Sequence, residues 1–284
     1  MDRAGHQRAV SGYFEVTSEY WDRVYSAPDV ASVVLQERNV TVERWARKLG
    51  LPAGSNALDV GCGAGHTTVA LASDGLAVRA VDLVDKMVNL TKQAARTAEV
   101  EDRVEVGIAD VHALPFADGT FALAVAVGVL PWAHSPARAI EELDRVLEPG
   151  GYLILTWDNR ARLNALLDPA LTPTLRWPRR VFHSAVDPLF GRRKRILVPQ
   201  RMYSGAAIHR LLAAQRLRVL GERVVGFGPF TLMKREVLPT RLGVRVHRSL
   251  QRLADRGVPL ARATAAHVIV LAQKDARRNG NSGR

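Results

Sequence analysis

Five short, largely apolar segments between residues 57 and 157 alternate with segments long enough to form helices. Strands that alternate with helices are joined by right-handed crossovers, which place parallel strands side by side and helices on both faces of the sheet. The fourth segment, 121–127, is apolar at every position, as expected for a strand buried on both faces. The pattern therefore predicts an α/β fold around a parallel sheet. The predicted strands are 57–60, 77–81, 104–108, 121–127 and 152–157.

Helical periodicity is found before, within and after this core. After residue 157 the regular alternation stops, and two arginine-rich insertions separate a helix at 204–215 and two more strands, 217–227 and 266–272. Earlier predicted helices lie at about 13–50, 66–73, 85–97 and 135–147. The predicted organisation is an N-terminal helical cap at 1–50, a ligand-binding core at 51–159, a basic insertion at 160–203, a core helix and strand at 204–230, a second basic insertion at 231–264, a last strand at 265–274 and a disordered tail at 275–284.

The net charge of +12 is distributed unevenly along the chain. Residues 1–159 carry a net charge of −8, whereas the insertions 160–203 and 231–264 carry +8 and +6. This asymmetry indicates a negatively charged partner or substrate for the second half of the chain. Solvated surface arginines explain the same composition, so the charge alone leaves both interpretations open.

Composition and hydropathy exclude several classes of protein. With 47% hydrophobic residues among 284, the chain can bury a core without disulfides, which excludes a disordered protein. The longest apolar stretch, 121–131, is about half of the roughly 20 residues that a spanning helix needs, and residues 1–12 lack an apolar signal core. Cys62 is the single cysteine, which excludes an intrachain disulfide and a cysteine-based zinc site. The expected location is the cytoplasm.

The first predicted strand ends in the glycine-rich segment D-V-G-C-G-A-G at 59–65. Its glycines allow a sharp turn and a close approach of the backbone to a ligand, and the next helix presents free N–H groups at its amino end. A nicotinamide-dependent oxidoreductase requires G-x-G-x-x-G, but His66 occupies the position of the last glycine. The motif therefore argues against that class of enzyme.

Three further elements follow this loop in order. Asp82 follows the second strand, where a carboxylate can accept both hydroxyls of a ribose, and Asp110-Val111 follows the third. Residues 114–151 contain L-P-F-A-D-G-T-F, V-L-P-W-A-H and L-E-P-G-G. Together with the loop, these elements resemble the class I S-adenosylmethionine-dependent methyltransferases, in their ubiquinone/menaquinone-biosynthesis-like branch (methyltransferase type 11). The resemblance is close over about residues 55–158.

The resemblance implies a Rossmann-like sheet of seven strands, the last one antiparallel, and S-adenosyl-L-methionine as the cofactor. Members of the family recognise the adenine amino group at the position of Asp110-Val111. Cys62 is expected to be a small packing residue beside the cofactor and not a nucleophile. The implied cofactor-binding residues are Asp59, Gly61, Cys62, Gly63, Gly65, Asp82, Leu83, Met87, Asp110, Val111, Val127 and Gly128.

Aromatic residues are expected to complete this site, because ring faces attract the cationic sulfonium of the donor. Trp132, after the fourth strand, is expected to form a wall of the acceptor pocket, and His134 is either catalytic or structural. These two are the candidate catalytic residues. Pro131-Trp132 replaces the polar pair that is common in this branch, so the family supplies no base at these positions. The other aromatic candidates beside the cofactor are Tyr13, Tyr20 and Trp21, for which packing within the N-terminal helices is the alternative.

Rival functions lack part of their sequence pattern. A metal-dependent catechol-type methyltransferase is suggested by Asp158-Asn159, but it needs a carboxylate where Val127-Gly128 stands, so no metal is expected. Nucleic-acid methyltransferases that modify amino groups carry [DNS]-P-P-[YFW] after strand four, and V-L-P-W at 129–132 differs from it. The sequence thus argues against nucleic acid as the partner. A nucleic-acid methyltransferase and a non-catalytic cofactor-binding subunit stay open as the alternatives.

The two basic insertions follow strands five and six, so both emerge at the ligand-binding carboxyl edge of the sheet. We expect them to form a lid that selects the acceptor. Within 241–256, arginines recur every three or four residues, which predicts an amphipathic helix with a cationic face. The arginines are either solvated or, together with 192–201, in peripheral contact with a membrane surface or an anionic substrate. An apolar stripe about 100° away, expected to pack inward, consists of Leu242, Val246, Leu250 and Leu253.

These elements predict a methyltransferase that acts on a small-molecule acceptor, anionic or lipid-like, by direct SN2 displacement. A direct transfer needs a base only if the acceptor must lose a proton. The sequence leaves open which atom is methylated and what the oligomeric state is.

Overall fold

The computed structural model describes residues 3–169, 171, 200–233 and 235–276. The strands of the main sheet are β1 (Asn56–Val60), β2 (Ala77–Asp82), β3 (Val104–Ile108), β4 (Phe121–Ala126), β5 (Leu147–Asp158), β6 (Leu217–Val225) and β7 (His267–Lys274). They form one seven-stranded sheet in the order β3-β2-β1-β4-β5-β7-β6. Neighbouring strands from β3 to β5 are parallel, whereas β7 runs antiparallel to β5 and β6. The predicted seven-stranded sheet with an antiparallel last strand is confirmed.

Helices cover both faces of this sheet. They are α1 (Arg3–Arg23), α2 (Val30–Lys48), α3 (His66–Ser73), α4 (Asp85–Thr97), α5 (Pro136–Val146), α6 (Leu163–Leu167), α7 (Gly205–Ala214), α8 (Thr240–Asp255) and α9 (Pro259–Thr264). Local sequence fixes where two of them begin. The side chain of Asp29 caps α2 by accepting a hydrogen bond from Ser32 N, and that of Ser135 caps α5 by accepting one from Arg138 N.

The central strand β4 explains the long apolar segment in the sequence. All six of its residues are buried. Ala124 and Ala126 belong to an apolar cluster shared with α5 and α7, whereas Leu123 and Val125 belong to a cluster on the opposite face shared with α2 and α3. Because both faces of β4 are covered, neither side of the strand tolerates polar residues.

Several element boundaries differ from the predictions. The first helix begins at Arg3 and not at residue 13. β5 begins at Leu147 and not at 152, because the L-E-P-G-G segment is part of the strand and its first residue, predicted to end the helix 135–147, pairs with β4. The insertion 231–264, predicted to be helical, starts with a short hairpin of Thr231–Leu232 and Arg235–Glu236 before α8 and α9.

α8 packs on the rest of the protein with a face that is displaced from the predicted one, although Leu250 of the predicted stripe does pack against the core. Leu242 and Leu253 of the predicted inward stripe are 45% and 40% exposed, while its buried face is formed by other residues. Gln251 explains this orientation: its Nε2 donates to Val224 O at 2.9 Å, and its Oε1 accepts from Gly226 N at 3.0 Å. The five arginines between residues 241 and 256 are all exposed, as expected for the predicted cationic face. The buried residues of α8 are Gly243, His247, Gln251 and Ala254.

Two predicted segments fall largely outside the described residues. These are the basic insertion at 172–199, which contains most of the 192–201 membrane-contact candidate, and the predicted disordered tail from residue 277 onward. In the described part of the chain, no helix is both long and apolar enough to cross a bilayer.

Candidate active site

A cavity of about 220 Å³ lies at the carboxyl edge of the parallel strands, and α1 and α2 supply part of its wall. We name its two ends by the residues that line them. The glycine-loop end is lined by residues 59–64, Asp82 and Asp110. The Asp158 end is lined by Arg38, Asn39, Asp158, Gln200 and His267.

The loop between β1 and α3 has a backbone conformation that favours glycine. Gly61, Gly63 and Gly65 have φ angles of +69°, +56° and +87°. A Cβ on Gly61 would lie 2.6 Å from Val129 Cγ2, and one on Gly65 would lie 3.0 Å from Thr91 Cα. A Cβ on Gly63 would meet open space. The loop is therefore tightly packed at two glycines and open at Gly63. Gly65 packs against α4 and does not line the cavity, and its predicted contact with the cofactor stays a prediction.

Asp82 ends β2 and anchors this loop from the next strand. Its Oδ2 accepts a hydrogen bond from Gly63 N, and its Oδ1 accepts one from Val84 N, both at 3.0 Å. Burial raises the pKa of Asp82, although these backbone hydrogen bonds favour its charged form. Each carboxylate oxygen keeps a further lone pair for a ligand. Leu83 and Met87 line the cavity beside it.

Asp59 and Cys62 belong to the inner wall of the same end. Thr68 Oγ1 donates to Asp59 Oδ2 at 2.6 Å, which ties β1 to α3. Burial raises the pKa of Asp59 to about 7 despite this hydrogen bond, and the negative charge of Asp82 adds to the rise. Burial also raises the pKa of the Cys62 thiol, and Thr91 Oγ1 lies 3.3 Å from its sulfur. A protonated, buried thiol supports the packing role predicted for Cys62.

Asp110 joins the loop after β3 to α1. Its Oδ1 accepts a hydrogen bond from His112 N at 3.0 Å, and His112 Nδ1 lies 2.6 Å from the same oxygen. Gln7 of α1 donates to the other oxygen through Nε2. Because His112 Nε2 accepts a hydrogen bond from Ser135 N, its Nδ1 carries the proton and donates to Asp110. Both Asp110 and Val111 line the cavity.

Aromatic rings of α1 cover the cavity, but they are not all the predicted ones. Phe14, Trp21 and Trp132 line it, and the Phe14 ring meets the Trp132 ring edge-on at 5.0 Å. Tyr13 stacks on Trp132 at 5.1 Å without lining the cavity, and Tyr20 is 49% exposed. Tyr13 and Tyr20 therefore do not line the cavity in which the cofactor is expected, and their contact with it stays a prediction. Tyr13 and Tyr20 each precede a lining residue, Phe14 or Trp21, by one position. One position turns a side chain by about 100° around a helix, so these two side chains point away from the cavity.

The two candidate catalytic residues both line the cavity. His6 Nε2 of α1 lies 2.9 Å from the carbonyl oxygen of Trp132. The ring of His134 lies 3.5 Å from that of His112, centroid to centroid, and its carbonyl accepts a hydrogen bond from Arg201 Nη1 at 2.7 Å. These positions fit Trp132 as a wall of the pocket. A catalytic role for His134 stays a prediction.

The Asp158 end contains a buried carboxylate with basic neighbours. Asp158 is the last residue of β5, and its Oδ1 lies 3.0 Å from Nδ1 of His267, its direct partner on β7. Arg162 Nη1 lies 3.7 Å from Asp158 Oδ2. Burial opposes ionisation, but His267, Arg162 and Arg38 outweigh it and hold the pKa of Asp158 below its usual range. This carboxyl group is therefore ionised at neutral pH.

Arg38 is a buried cation in the part of the Asp158 end that adjoins the glycine-loop end. It is 6% exposed, and its Nη2 donates to the hydroxyl of Tyr25 at 3.2 Å. Its Nη1 lies 3.3 Å from where a Cβ on Gly128, just after β4, would be. Within the described residues, neither Arg38 Nε nor Asn39 Oδ1 finds a hydrogen-bond partner. Unpaired buried polar groups in a cavity are available to a ligand.

Asn159, which with Asp158 suggested a metal site, has a structural role. Its Nδ2 donates to Ala263 O at 2.8 Å and to Ala265 O at 2.9 Å, which fixes the entry to β7. In the described ranges, no group of three His, Cys, Asp or Glu side chains is placed to hold a metal ion.

Part of the chain is similar in sequence to known proteins. Residues 58–155 match a family model described as a methyltransferase domain. A demethylmenaquinone methyltransferase of Clavibacter sepedonicus is 35% identical over 141 residues, covering 49% of this chain and 56% of that protein. An S-adenosyl-L-methionine-dependent Diels–Alderase of Talaromyces variabilis is 37% identical over 136 residues, covering 45% of each. The chain spans about half the length of the curated relatives that it matches.

A solved structure extends the similarity to the whole fold. Magnesium protoporphyrin IX methyltransferase of Synechocystis PCC 6803, with bound S-adenosylhomocysteine, has a TM-score of 0.63 and 17% identity over 95% of this chain and 100% of that chain. The match of residues 58–155 to a methyltransferase domain agrees with the family resemblance that the sequence predicts. The similarity to a demethylmenaquinone methyltransferase agrees with the predicted ubiquinone/menaquinone-biosynthesis-like branch, and the cofactor of such a domain is S-adenosyl-L-methionine.

The glycine-loop end of the methyltransferase domain fits this cofactor. The open space at Gly63 allows a close approach of the backbone, and Asp82 keeps lone pairs for the two hydroxyls of a ribose. Asp59 and Asp82 have no basic partner among the described residues, which suits a ligand that carries a sulfonium cation. Val127 and Gly128 line the adjacent wall.

Sequence reasoning missed several residues of the methyltransferase domain's cavity. Phe14 stands beside the aromatic residues that were predicted, and its helical spacing from Trp21, two turns away, could have identified it. Arg38 and His267 carry no comparable mark in the sequence, because each lies in a segment that otherwise reads as an ordinary helix or strand. Only the packing of α2 and β7 brings them to Asp158.

Proposed function

We propose that this chain transfers the methyl group of S-adenosyl-L-methionine directly to a small-molecule acceptor. The observation that carries the proposal is the single cavity that joins the glycine-loop end to the Asp158 end. A donor held at β1 and β2 leaves the ends of β4, β5 and β7 for a second molecule, because these strands follow β1 in the sheet. The acceptor therefore binds at the Asp158 end.

When bound, the sulfonium donor supplies an electrophilic methyl group that an acceptor atom takes by in-line displacement. The chain itself has to hold both molecules in line and exclude water. Gly63 and Asp82 hold the donor side, and the rings of Phe14, Trp21 and Trp132 cover the cavity. Positioning of this kind lowers a barrier by about 7–11 kcal/mol.

The acceptor that fits this cavity combines a negative group with an apolar body. Arg38 is a buried cation beside the junction of the two ends, and one nitrogen of its guanidinium is unpaired among the described residues. Val10, Leu35 and Val129 add apolar walls. Gln200, from the end of the first basic insertion, also lines the cavity, which supports a lid role for that insertion.

The cationic face of α8 supports a second part of the proposal, peripheral contact with an anionic membrane. Its arginines are exposed, and three of them, Arg245, Arg248 and Arg252, border a shallow groove. In a sedimentation assay, vesicles with phosphatidylserine should retain the protein better than phosphatidylcholine vesicles. Replacing these three arginines by glutamine should abolish the difference, whereas glutamine at Arg44, Arg47 and Lys48 of α2 should preserve it. Equal sedimentation with both vesicles would contradict membrane contact.

A pericyclic cyclisation is the second candidate function. The observation that favours it is the 37% identity with a protein named as an S-adenosyl-L-methionine-dependent Diels–Alderase. An aromatic, largely apolar cavity next to the donor site would also suit a polyene substrate.

Incubation of the protein with methyl-labelled donor and a small-molecule extract of the source organism tests the proposal. We expect label in one extractable product, which mass spectrometry identifies, and retention of that product on an anion exchanger if the acceptor is anionic. The Gly63→Ala variant serves as the donor-site control. Binding of S-adenosylhomocysteine without any labelled product would reject methyl transfer, and an unlabelled product isomeric with its precursor would favour cyclisation.

A further inference from the structure

We propose that His267 is the general base of the methyl transfer, oriented by Asp158, and that the acceptor therefore reacts through an atom that carries a proton. This inference rests on the proposed function, since it assigns a role within that reaction. It goes beyond the cofactor motifs, because neither residue belongs to them.

The backbone fixes the relation between the two side chains. Asp158 is the last residue of β5 and His267 is the first of β7, and they are direct partners in the antiparallel ladder. Their side chains meet with 3.0 Å between Asp158 Oδ1 and His267 Nδ1. Gly226 follows β6 on the other side, and a Cβ there would lie 3.5 Å from His267 Cδ2. The imidazole is therefore held between two neighbouring segments.

The partner of Nδ1 decides which nitrogen can accept a proton. An ionised Asp158 only accepts hydrogen bonds, so the proton of a neutral His267 lies on Nδ1 and the lone pair lies on Nε2. Within the described residues, Nε2 makes no hydrogen bond, and the side chain is 14% exposed and lines the cavity. By contrast, His112 and His247 use both ring nitrogens in hydrogen bonds to protein groups.

The strand order places this nitrogen on the acceptor side. β4 borders the glycine-loop end, β5 follows it and β7 follows β5. Neighbouring strands are about 4.8 Å apart, so His267 lies roughly two strand spacings beyond the end of β4. An acceptor between the Gly128 turn and His267 can thus contact the base on one side and the donor on the other.

The charged groups around His267 suit a base that becomes a cation for a short time. Asp158 of β5 stabilises an imidazolium, while Arg38 of α2 and Arg162 before α6 disfavour it. The β6 side contributes Val225 and Gly226, which do not titrate. The surroundings of His267 thus combine one carboxylate with two guanidinium groups.

The step balances in atoms and charge. A lone pair on the acceptor atom forms the new bond to the methyl carbon, the carbon–sulfur bond breaks, and its electron pair stays on sulfur. The proton of the acceptor passes to His267 Nε2. The products are S-adenosylhomocysteine, the methylated acceptor and an imidazolium that Asp158 stabilises until solvent takes the proton.

The test compares His267→Asn and Asp158→Asn with the wild-type protein in the labelled-donor assay with the small-molecule extract, across a range of pH. His209→Asn is the matched control, because this histidine lies on α7, pairs with Glu222 and does not line the cavity. We expect His267→Asn to lower the rate about 100- to 10,000-fold, the usual contribution of a general base. It should also remove the wild-type rise in rate that accompanies imidazole deprotonation. Asp158→Asn should shift that rise.

Two further measurements make each outcome decisive. S-adenosylhomocysteine should bind the variants with wild-type affinity in calorimetry, and ¹⁵N NMR of wild-type imidazoles should show the Nδ1–H tautomer for His267. If the wild type labels a product and His267→Asn labels it at the same rate, or if His267 is the Nε2–H tautomer, the base assignment is wrong and the methyltransferase proposal stands. If the wild type labels nothing, the proposed function fails and this inference fails with it.

Discussion

The two ends of the cavity are built in opposite ways. The glycine-loop end comes from consecutive residues at 59–64 and from the ends of the next two strands, whereas the Asp158 end joins Arg38, Asp158 and His267, which are far apart in sequence. The first end is the local product of one strand–turn–helix unit. The second exists because the sheet order puts β7 beside β5 and because α2 packs on β7.

Their electrostatics are opposite as well. At the glycine-loop end, burial raises the pKa of both Asp59 and Asp82, and neither has a basic partner among the described residues. At the other end, the pKa of Asp158 is lowered because a histidine and two arginines outweigh its burial. A cationic donor improves the first environment, and an anionic acceptor improves the second. Under the proposed function, the two reactants are separated by charge as well as by position.

Among the variants at the glycine-loop end, the one that removes the Asp82 carboxylate should weaken donor binding most. We expect Asp82→Ala to weaken S-adenosylhomocysteine binding by about 1.5–3 kcal/mol, the scale of hydrogen bonds to a charged group. Isothermal titration calorimetry measures it, with Asp85→Ala as the control, since Asp85 is exposed and close in sequence. Unchanged affinity in Asp82→Ala would remove this residue from the donor site.

The space at Gly63 offers a steric test of the same end. An added methyl group in Gly63→Ala would occupy the open space, and we expect donor affinity to fall by about 1–3 kcal/mol, the usual cost of overpacking. Gly54→Ala is matched, because its φ of +79° and its open surroundings impose similar backbone strain away from the cavity. Both variants should lose comparable stability in urea, and only the first should lose affinity. If Gly54→Ala lost donor affinity as Gly63→Ala does, backbone strain and not the lost space would be the cause of the weaker binding.

Arg38 tests whether the ends are separable. Arg38→Met should raise the KM for the labelled acceptor roughly tenfold, the lower range for a charged hydrogen bond, while the affinity for S-adenosylhomocysteine stays unchanged. Arg47→Met is the control on the same helix, because Arg47 is exposed and pairs with Asp74. If donor affinity fell together with acceptor affinity, the division of the cavity into two ends would be wrong.

The raised pKa of Asp59 gives the glycine-loop end a specific pH dependence. Its folded pKa of about 7 exceeds the unfolded value of about 3.9, so the folded state holds a proton that the unfolded state loses between these values. The free energy of unfolding contributed by this group is therefore full below about pH 4 and falls as the pH rises to about 7. Urea unfolding at about pH 5 and pH 8 should show wild type losing stability relative to Asp59→Asn. A constant difference between the two proteins would contradict the shift.

The same contrast explains what the sequence could predict. The five core strands follow from apolar runs between turns, and the donor site follows from glycines and carboxylates at fixed places in one unit, so both were predicted. Arg38 and His267 were not, because their function depends on which helix and strand pack together. The positions of Tyr13 and Tyr20 outside the cavity lining were not predicted for a related reason: residue type alone cannot tell which face of α1 turns toward the cavity.

The orientation of α8 was wrong because the apolar stripe was assumed to determine packing. Hydrogen bonds from Gln251 to Val224 O and Gly226 N, and from Phe227 N to His247 Nδ1, fix a polar face against the segment that follows β6. A buried glutamine that satisfies two backbone groups outweighs two partly exposed leucines. The sequence contains these residues but does not indicate which backbone groups need them.

The smallest predicted effect checks this orientation and its connection to the Asp158 end. Leu242→Gln should change the free energy of unfolding by less than about 0.5 kcal/mol, because the side chain is 45% exposed. Gln251→Leu, the matched change on the buried face, should cost about 1–3 kcal/mol by leaving two backbone groups unsatisfied. Gln251 accepts a hydrogen bond from Gly226 N, and Gly226 lies against His267. Gln251→Leu should therefore also lower the rate of methyl transfer, while the affinity for S-adenosylhomocysteine is retained. A larger loss in Leu242→Gln than in Gln251→Leu would restore the apolar stripe as the packing face, and the support of His267 would then have to come from β5 and β7 alone.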